Sequence, residues 1–506
     1  MNRQGNSYHQ ILRSSSIVGG ATVVNILCGL IRIKVAAIVL GPLGIGYIGL
    51  LQNLLGTAAT VASLGLRTSG TQMIAEALAL GSPAALAASR RSLFWGSLML
   101  ACIGGLSFWL ARDILAANLL RPGEPAIQIG WLSIGVALTV MAGSQSAFMN
   151  GMRKVGHLAW VSVISSALAT AVGIAALLFF SEYGVIALVL IIPICNVLVG
   201  YLFIRRLKTL VMPLSSFIDI VTNMRGLIAR GTIYMLSGLV VTAGELVLRS
   251  FITRELGAAA LGQFQASWTI SVTYMGLIVV AMSTDYFPRL SGIIRDHEAS
   301  NKLVNQQTEV TLLFAAPLVL FLIAGGSSII DLMYSKEFGP ATEILRWQIL
   351  GDVFKIASWP LGYILLASGN AKAFFMYESS TTIFYVLVCW FGMPYFGLYI
   401  TGIGYLIMYA TALPVLYLLA NRRSGFVWTR GVSYEFVGMA CAATIVFMVT
   451  SYHHFGGLIL GLSLSLVATF RSLRRIGQMI DPETKAGQLL TRVRDVAVRT
   501  RLLGGR

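Results

Sequence analysis

Long apolar runs return through nearly the whole chain, and they constrain its fold more than any other feature. They lie near 17–40, 44–66, 92–111, 127–149, 158–180, 185–204, 231–253, 262–287, 309–330, 344–368, 374–393, 399–420, 435–452 and 456–470. Each is close to the roughly 20 residues that a helix needs to cross a bilayer. They are apolar all round, whereas a barrel strand is ~10 residues of alternating polarity. Charged residues make up 11% of the 506 and apolar residues 56%, against roughly 25% charged in soluble domains. That charge could not coat several soluble domains, and so much apolar surface excludes disorder. The class is therefore an all-α integral membrane protein of about 14 transmembrane helices. The polar stretch before the first run has no small-residue cleavage site, so the run reads as a retained span. All five cysteines (Cys28, Cys102, Cys195, Cys389 and Cys441) lie in apolar surroundings and read as packing residues.

The net charge of +17 is mostly a topology signal. With the N-terminus inside, the outer loops hold only Arg112, Arg121, Arg254 and Lys336 as basic residues. The inner segments hold clusters such as Arg90-Arg91, Arg205-Arg206-x-Lys208, Arg422-Arg423 and Arg471 with Arg474 and Arg475. Basic residues gather on the cytoplasmic side, so both termini are expected there. The outer loops reach only about 15 residues, too short for the large outer loop that builds the catalytic site of membrane glycosyltransferases and polysaccharide polymerases. An enzyme is not expected, nor a cofactor or metal.

The two halves look duplicated. Gly46 and Gly262, Trp131 and Trp347, and Gly135 and Gly351 are each 216 apart. Arg205-Arg206 and Arg422-Arg423 follow spans six and twelve. The expected organisation is a cytoplasmic N-terminus (1–16), a six-helix lobe (17–204) and a basic linker (205–230). A second six-helix lobe (231–420), a helix pair (435–470) and a basic tail (471–506) complete it. Six spans per half put both halves in the same orientation, related by a pseudo-two-fold along the membrane normal.

Ile11-Leu12-Arg13-Ser14-Ser15-Ser16-Ile17-Val18-Gly19-Gly20 resembles the opening of O-antigen flippases, the Wzx-type translocases. So do Arg32-x-Lys34, Leu40-Gly41-Pro42-x-Gly44-x-Gly46, and Gly70 with Gln72-x-Ile74-Ala75-Glu76-Ala77. Asn150-Gly151 with Lys154 fits the same pattern. The resemblance covers roughly residues 10–420. It places the chain in the multidrug/oligosaccharidyl-lipid/polysaccharide exporter superfamily. It implies two lobes around a central cavity and, as substrate, an oligosaccharide on undecaprenyl diphosphate. That cargo is carried from the cytoplasmic to the periplasmic leaflet of a bacterial inner membrane. Other O-antigen assembly proteins are implied partners.

Such a carrier needs a polar path and a cationic place for a diphosphate, so polar residues inside spans are the candidates. Arg32 sits ~12 Å from the outer end of span one at 1.5 Å per residue, on the face of Asn25. It either lines a cavity or bonds a neighbouring helix's carbonyls. An arginine fork suits phosphate. Lys34 either reaches the cavity or snorkels outward. Glu245 and Arg249, one turn apart, form a self-neutralised pair or part of a cavity wall. Asp352 lies three residues before Lys355 and is either an ion-coupling carboxylate or half of a structural pair. Glu378 divides between coupling and rim solvation. Asn53, beside Gln52, binds sugar hydroxyls or ties helices together. The expected substrate residues are thus Arg32, Asn25, Lys34, Asn53 and Arg249, with Asp352, Glu245 and Glu378 as coupling candidates. Pro193, Pro317, Pro360 and Pro414 are expected to bend their spans.

Other motifs are set aside. Gly44-x-Gly46-x-x-Gly49 has the letters of a dinucleotide fingerprint but joins two spans, so it reads as a turn with close packing. His453-His454 has no evident partner in sequence. Residues 481–502 read as an amphipathic helix on anionic inner-leaflet lipid, because Lys485, Arg492 and Arg499 recur every seven residues. Aromatic residues do not interleave those charges, so nucleic acid is not an expected partner. The rival readings are a cation-coupled drug exporter of the same superfamily and a non-transporting scaffold for envelope polysaccharide assembly. A cavity for cationic drugs should hold carboxylates or aromatics rather than arginine.

Overall fold

A computed structural model describes residues 3–119, 126–180, 184–207, 217–368 and 370–479. The helices are α1 (Arg3–Ser63), α2 (Leu66–Ala79), α3 (Pro83–Leu110), α4 (Arg112–Leu119), α5 (Ala126–Gly151), α6 (Val155–Phe180), α7 (Gly184–Arg206) and α8 (Phe217–Glu255). They continue with α9 (Ala258–Ile293), α10 (His297–Met333), α11 (Ala341–Ala367), α12 (Ala371–Phe396), α13 (Ile400–Ser424), α14 (Arg430–Tyr452) and α15 (His454–Met479). Only helices, short 3-10 turns and connections occur among the described residues. Ten runs among them are long and apolar enough to cross a membrane. Two of the ten, Gly20–Ser63 and Lys372–Ser424, are long enough for a pair of spans. The other two expected spans, seven and eight, lie in α8 and α9. The chain is a multi-pass, all-α membrane protein with about 14 spans.

The first pair of spans is divided at one residue. Gly41 has φ 62° and ψ −166°, a conformation open essentially to glycine alone. Pro42 follows and disfavours helical geometry at the residue before it. Two stretches expected as loops are helical instead. The first cytoplasmic loop contains α2, and the outer loop after span three contains α4. Local hydrogen bonding and one apolar face suffice for such short helices beside a packed wall. The expected amphipathic tail at 481–502 lies outside the described residues.

The chain forms two compact units. The first comprises Met1–Gln265, Met333–Phe338 and Glu378–Phe391. Within it, Leu66, Ile74, Leu93, Ala147 and Leu227 join α2, α3, α5 and α8 in one apolar cluster. The seventh expected span, in α8, belongs to this unit and is tied to α1 by Thr57 and Asn53, which donate to the Thr242 carbonyl and to Glu245. Glycines set the close approaches. A Cβ at Gly262 would lie 1.8 Å from the Pro42 carbonyl oxygen, and one at Gly46 would lie 2.7 Å from the Gly262 nitrogen. Gly46 of the Gly44-x-Gly46 motif therefore serves backbone contact between α1 and α9, whereas Gly44 faces Leu40 of its own helix.

The second unit comprises Ala266–Leu332, Gly339–Tyr377 and Gly392–Arg506. Its centre is α11, whose most apolar window is 72% buried. Buried polar side chains are normally satisfied internally, as Asp352 is on this helix, whereas the fully buried Gln348 has, among the described residues, no partner for either end of its amide. α15 packs on α10 through a proline. Pro317 has no N–H for the carbonyl four residues earlier, and Ser472 Oγ donates to that Leu313 carbonyl at 2.6 Å. Ser465 Oγ donates to the Pro317 carbonyl at 2.8 Å.

The repeat appears in the packing of each unit. A Cβ at Gly135 would meet Leu190 at 2.8 Å in the first, and one at Gly351 would meet Leu406 at 3.1 Å in the second. Leu190 and Leu406 are 216 apart, the same interval as the glycines. Equivalent helices are thus closely packed through equivalent residues.

Gly262→Ala forces α1 and α9 apart. Overpacking of this kind costs about 1–3 kcal/mol, so a lower Tm of the purified protein in detergent is expected. An unchanged Tm would show that the two backbones do not meet there.

Candidate functional site

The break at Gly41 folds the two arms of α1 back along one another. Thr22 and Asn25 on the first arm and Thr60 and Ser63 on the second line the same cavity. α5 adds Thr139, Gln145 and Ser146, α6 adds Ser162, and α7 adds Asn196. The cavity measures about 530 Å³ and lies within the first unit. Between the polar groups the walls mix small residues, such as Ala21, Gly56, Ala59 and Gly143, with larger apolar ones such as Leu66, Met149 and Leu158. A Cβ at Gly56 or Gly143 would meet nothing within 4 Å. These glycines leave room instead of permitting contact.

The lining is a field of hydroxyls and amides. Asn25 Nδ2 donates to Ser162 Oγ at 2.6 Å, and Gln145 Nε2 donates to the Val197 carbonyl at 3.2 Å. The other side of each amide, Asn25 Oδ1 and Gln145 Oε1, is a buried acceptor with no donor. Buried acceptors are normally satisfied, so this pair is suited to hydroxyl or N–H donors from a ligand. Thr60 and Thr139 donate to carbonyls of their own helices, which leaves their lone pairs available. Among the described lining residues none is a carboxylate, and the charged one is Arg67. Arg67 is exposed in the first turn of α2. It is placed there by a turn in which Leu64 has φ 46° and Gly65 φ 69°.

The other sequence candidates divide into separate sets. Arg32 lies on the Asn25 face, ~10 Å further along α1, and outside the cavity lining. It is half-buried and, among the described residues, has no hydrogen bond or ion pair. Lys34 neither lines this cavity nor only snorkels, since its Nζ donates to the Tyr334 carbonyl. Asn53, Glu245 and Arg249 form one network. Glu245 Oε2 accepts from Arg249 at 2.9 Å and from Asn53 at 3.1 Å, and Arg249 Nε donates to Gln265 Oε1 at 3.3 Å. Arg249 is 4% exposed and also sits over the Phe264 ring at 5.7 Å. Glu378 is half-buried near the start of α12, with its backbone carbonyl accepting from Thr381.

In the second unit Asp352 is fully buried. It accepts from Ser271 Oγ at 2.7 Å and from the Tyr405 hydroxyl at 2.9 Å. Lys355 Nζ lies 3.8 Å from Asp352 and donates to the Tyr405 oxygen at 2.9 Å. The lysine also faces the Tyr405 and Tyr409 rings at 5.6 and 5.5 Å. Arg346 pairs with Glu343 at 2.7 Å and lies 3.5 Å from His454. The histidine therefore has a partner that its sequence neighbours did not reveal. Sequence reading also missed Gln145, Ser162, Asn196, Ser271 and Tyr405. Only a polar residue inside an apolar run marks them, a signal shared with many Ser and Thr that bond their own helix. Arg67 looked like part of the loop charge.

Comparison with known proteins follows from this geometry. A family model described as "Polysaccharide biosynthesis protein" matches residues 11–294. The lipid III flippase of Escherichia coli (strain K12) is 22% identical over 396 residues, which cover 75% of this chain and 91% of that protein. Among solved structures, an inward-facing multidrug resistance MATE family transporter of the MOP superfamily aligns with TM-score 0.69 and 16% identity, covering 81% of this chain and 98% of that one. The lipid II flippase MurJ in an inward closed conformation aligns with TM-score 0.67 and 15% identity, covering 92% and 99%. The fold is the one these transporters share, as the opening motifs implied.

Glu245→Gln removes the charge that Arg249 needs while keeping the shape. A buried cation left unpaired costs about 3 kcal/mol, so a marked fall in Tm is expected. A full-length protein of unchanged Tm would show that the pair is not a structural tie.

Proposed function

The chain belongs to the polysaccharide biosynthesis protein family, and from that premise we propose that it is a flippase for undecaprenyl-diphosphate-linked O-antigen oligosaccharides. It carries them by alternating access from the cytoplasmic to the periplasmic leaflet of a bacterial inner membrane. The observation that carries this reading is the cavity, with its many hydroxyl and amide groups and the two donorless buried acceptors among its described lining residues. Sugars offer a dense array of hydroxyl donors, and the family's relatives include a protein named for flipping a lipid-linked cargo. Both termini are cytoplasmic in this reading, which puts the cavity in the inner half of the membrane, where cargo is loaded. Arg67 at the rim, in α2, and Arg32 deeper, on the first arm of α1, supply successive cationic positions for the diphosphate. An arginine without an internal partner is available to phosphate.

No bond is made or broken, so the protein is a carrier and not an enzyme. Translocation draws on an ion gradient or on removal of cargo outside. Asp352 is the foremost coupling candidate, because its two hydroxyl donors and Lys355 give a proton several places to move. Glu245 is engaged by Arg249 and Asn53, and its role is to hold the wall between α1 and α8. Glu378 is the remaining candidate. Two six-helix lobes, 17–204 and 231–420, with a helix pair at 435–470, remain the proposed organisation. Gly46 and Gly262, one from each lobe at the repeat interval, pack on each other as residues beside a two-fold axis do. Other O-antigen assembly proteins are proposed partners. A drug exporter is disfavoured, because the described lining offers Arg67 and neutral hydroxyls and amides to a cationic drug.

Deleting the gene should make lipid-linked repeat units accumulate inside the cell and abolish surface O-antigen. At Gly143 an added Cβ meets nothing within 4 Å, so Gly143→Phe should reach the membrane at normal levels yet, by filling the cavity, fail to restore display. Normal display with this variant would exclude the cavity as the cargo path. Arg32→Ala should slow display about tenfold, the worth of one charge-assisted hydrogen bond, and Arg32→Glu should abolish it. Full display in both variants would remove Arg32 from the path.

A further inference from the structure

A second pocket, of about 400 Å³, lies in the second unit where the C-terminal helix pair passes from apolar to charged. α15 is apolar up to Phe470 and then presents Arg471, Arg474 and Arg475 on one face, at spacings of three and four residues. Like charges so placed repel one another. Two of the three are held by carboxylates. Arg471 bonds Glu435 at 2.5 Å and Arg475 bonds Glu309 at 3.2 Å. Each contact uses one of the five N–H donors of its guanidinium and leaves others available. Arg474 is exposed and, among the described residues, has neither a hydrogen bond nor an ion pair. Three cations facing two carboxylates leave the pocket with one positive charge.

The opposite wall adds donors of another kind. Gly431 and Tyr434, in the first turns of α14, line the pocket. Thr429 caps that helix by accepting from the Val432 N–H, so its positive end is directed at the pocket. Just beyond the pocket both helices turn apolar side chains outward. Val437 on α14 is 54% exposed, and Leu466, Val467 and Phe470 on α15 are 61–62% exposed. In a membrane protein such side chains face acyl chains.

We propose that this pocket binds the phosphate of an anionic membrane phospholipid, with the acyl chains along the apolar flank of α14 and α15. The guanidiniums and the α14 N-terminus recognise the phosphate. The adjoining apolar flank selects a lipid over free phosphate. Arg471 and Arg475 are pre-oriented by their carboxylates, and Arg474 is the arginine that the ligand neutralises. The site is separate from the cavity of the first unit and does not depend on what that cavity carries.

The test uses the full-length protein in detergent, with lipid adducts counted by native mass spectrometry. The probes are dioctanoyl phosphatidylglycerol and dioctanoyl phosphatidylethanolamine at matched concentration. The wild-type protein should retain phosphatidylglycerol about tenfold better, the worth of one charge-assisted contact, and Arg474→Gln should lose that preference. Arg474 is exposed and unpartnered, so its replacement does not endanger folding. Glu435→Gln frees Arg471 and should strengthen phosphatidylglycerol retention. Equal retention of the two lipids by the wild type, or an undiminished preference in Arg474→Gln, overturns the proposal. Displacement of phosphatidylglycerol by equimolar inorganic phosphate would mean that the site reads phosphate alone. Displacement by equimolar farnesyl diphosphate would assign it to a polyprenyl cargo, and either result overturns the phospholipid assignment.

Discussion

Hydrocarbon offers no hydrogen bonds, so each polar group inside a span is either satisfied by the protein or set against a polar space. That constraint sorts the residues of this chain. The carbonyl of Leu313, freed by Pro317, is taken by Ser472. Asp352 accepts from two hydroxyls and lies beside Lys355. Arg249 is divided between Glu245 and Gln265. Several of these bonds join helices distant in sequence, as from Ser472 to the Leu313 carbonyl and from Ser271 and Tyr405 to Asp352. Asn25 Oδ1 and Gln145 Oε1 share with Asn53 Oδ1 and Gln348 Oε1 the want of a donor, and differ from them in belonging to residues that line one cavity.

The cavity itself follows from one backbone break. Asn25 stands 16 residues before Gly41 and Thr60 stands 19 after it. Two arms of nearly equal length bring both residues to similar depth, where they face α5, α6 and α7. Glycine does two opposite things along this path. At Gly46 and Gly262 the missing side chain lets backbones touch, whereas at Gly56 and Gly143 it leaves space open. Only the neighbouring helix decides which of these applies.

This arrangement suits a carrier. Neutral hydrogen-bonding groups hold a sugar without trapping it, because each contact is replaceable by water once the site opens. Arg249 and Lys34 are tied to partners outside the cavity lining, and Arg67 stands exposed at its margin. Asp352 is housed in a different compact unit from the cavity.

Class, number of spans and internal repeat were legible in the sequence, because they rest on local hydrophobicity and on spacing, which each segment carries by itself. The break at Leu40-Gly41-Pro42 was legible for the same reason, since backbone sterics are local. Asn25 was legible as a cavity residue, because Arg32 on the same face makes a polar stripe that lipid would reject. The roles of Asn53, Lys34, Gln145 and Tyr405 were not. Lys34 donates to a carbonyl 300 residues away, and Tyr405 meets a carboxylate 53 residues away. Hydropathy reports what a residue avoids, and every polar residue in a span avoids lipid equally. Whether it finds a partner on another helix or is left facing a cavity depends on how distant helices pack, and that only the tertiary structure decided.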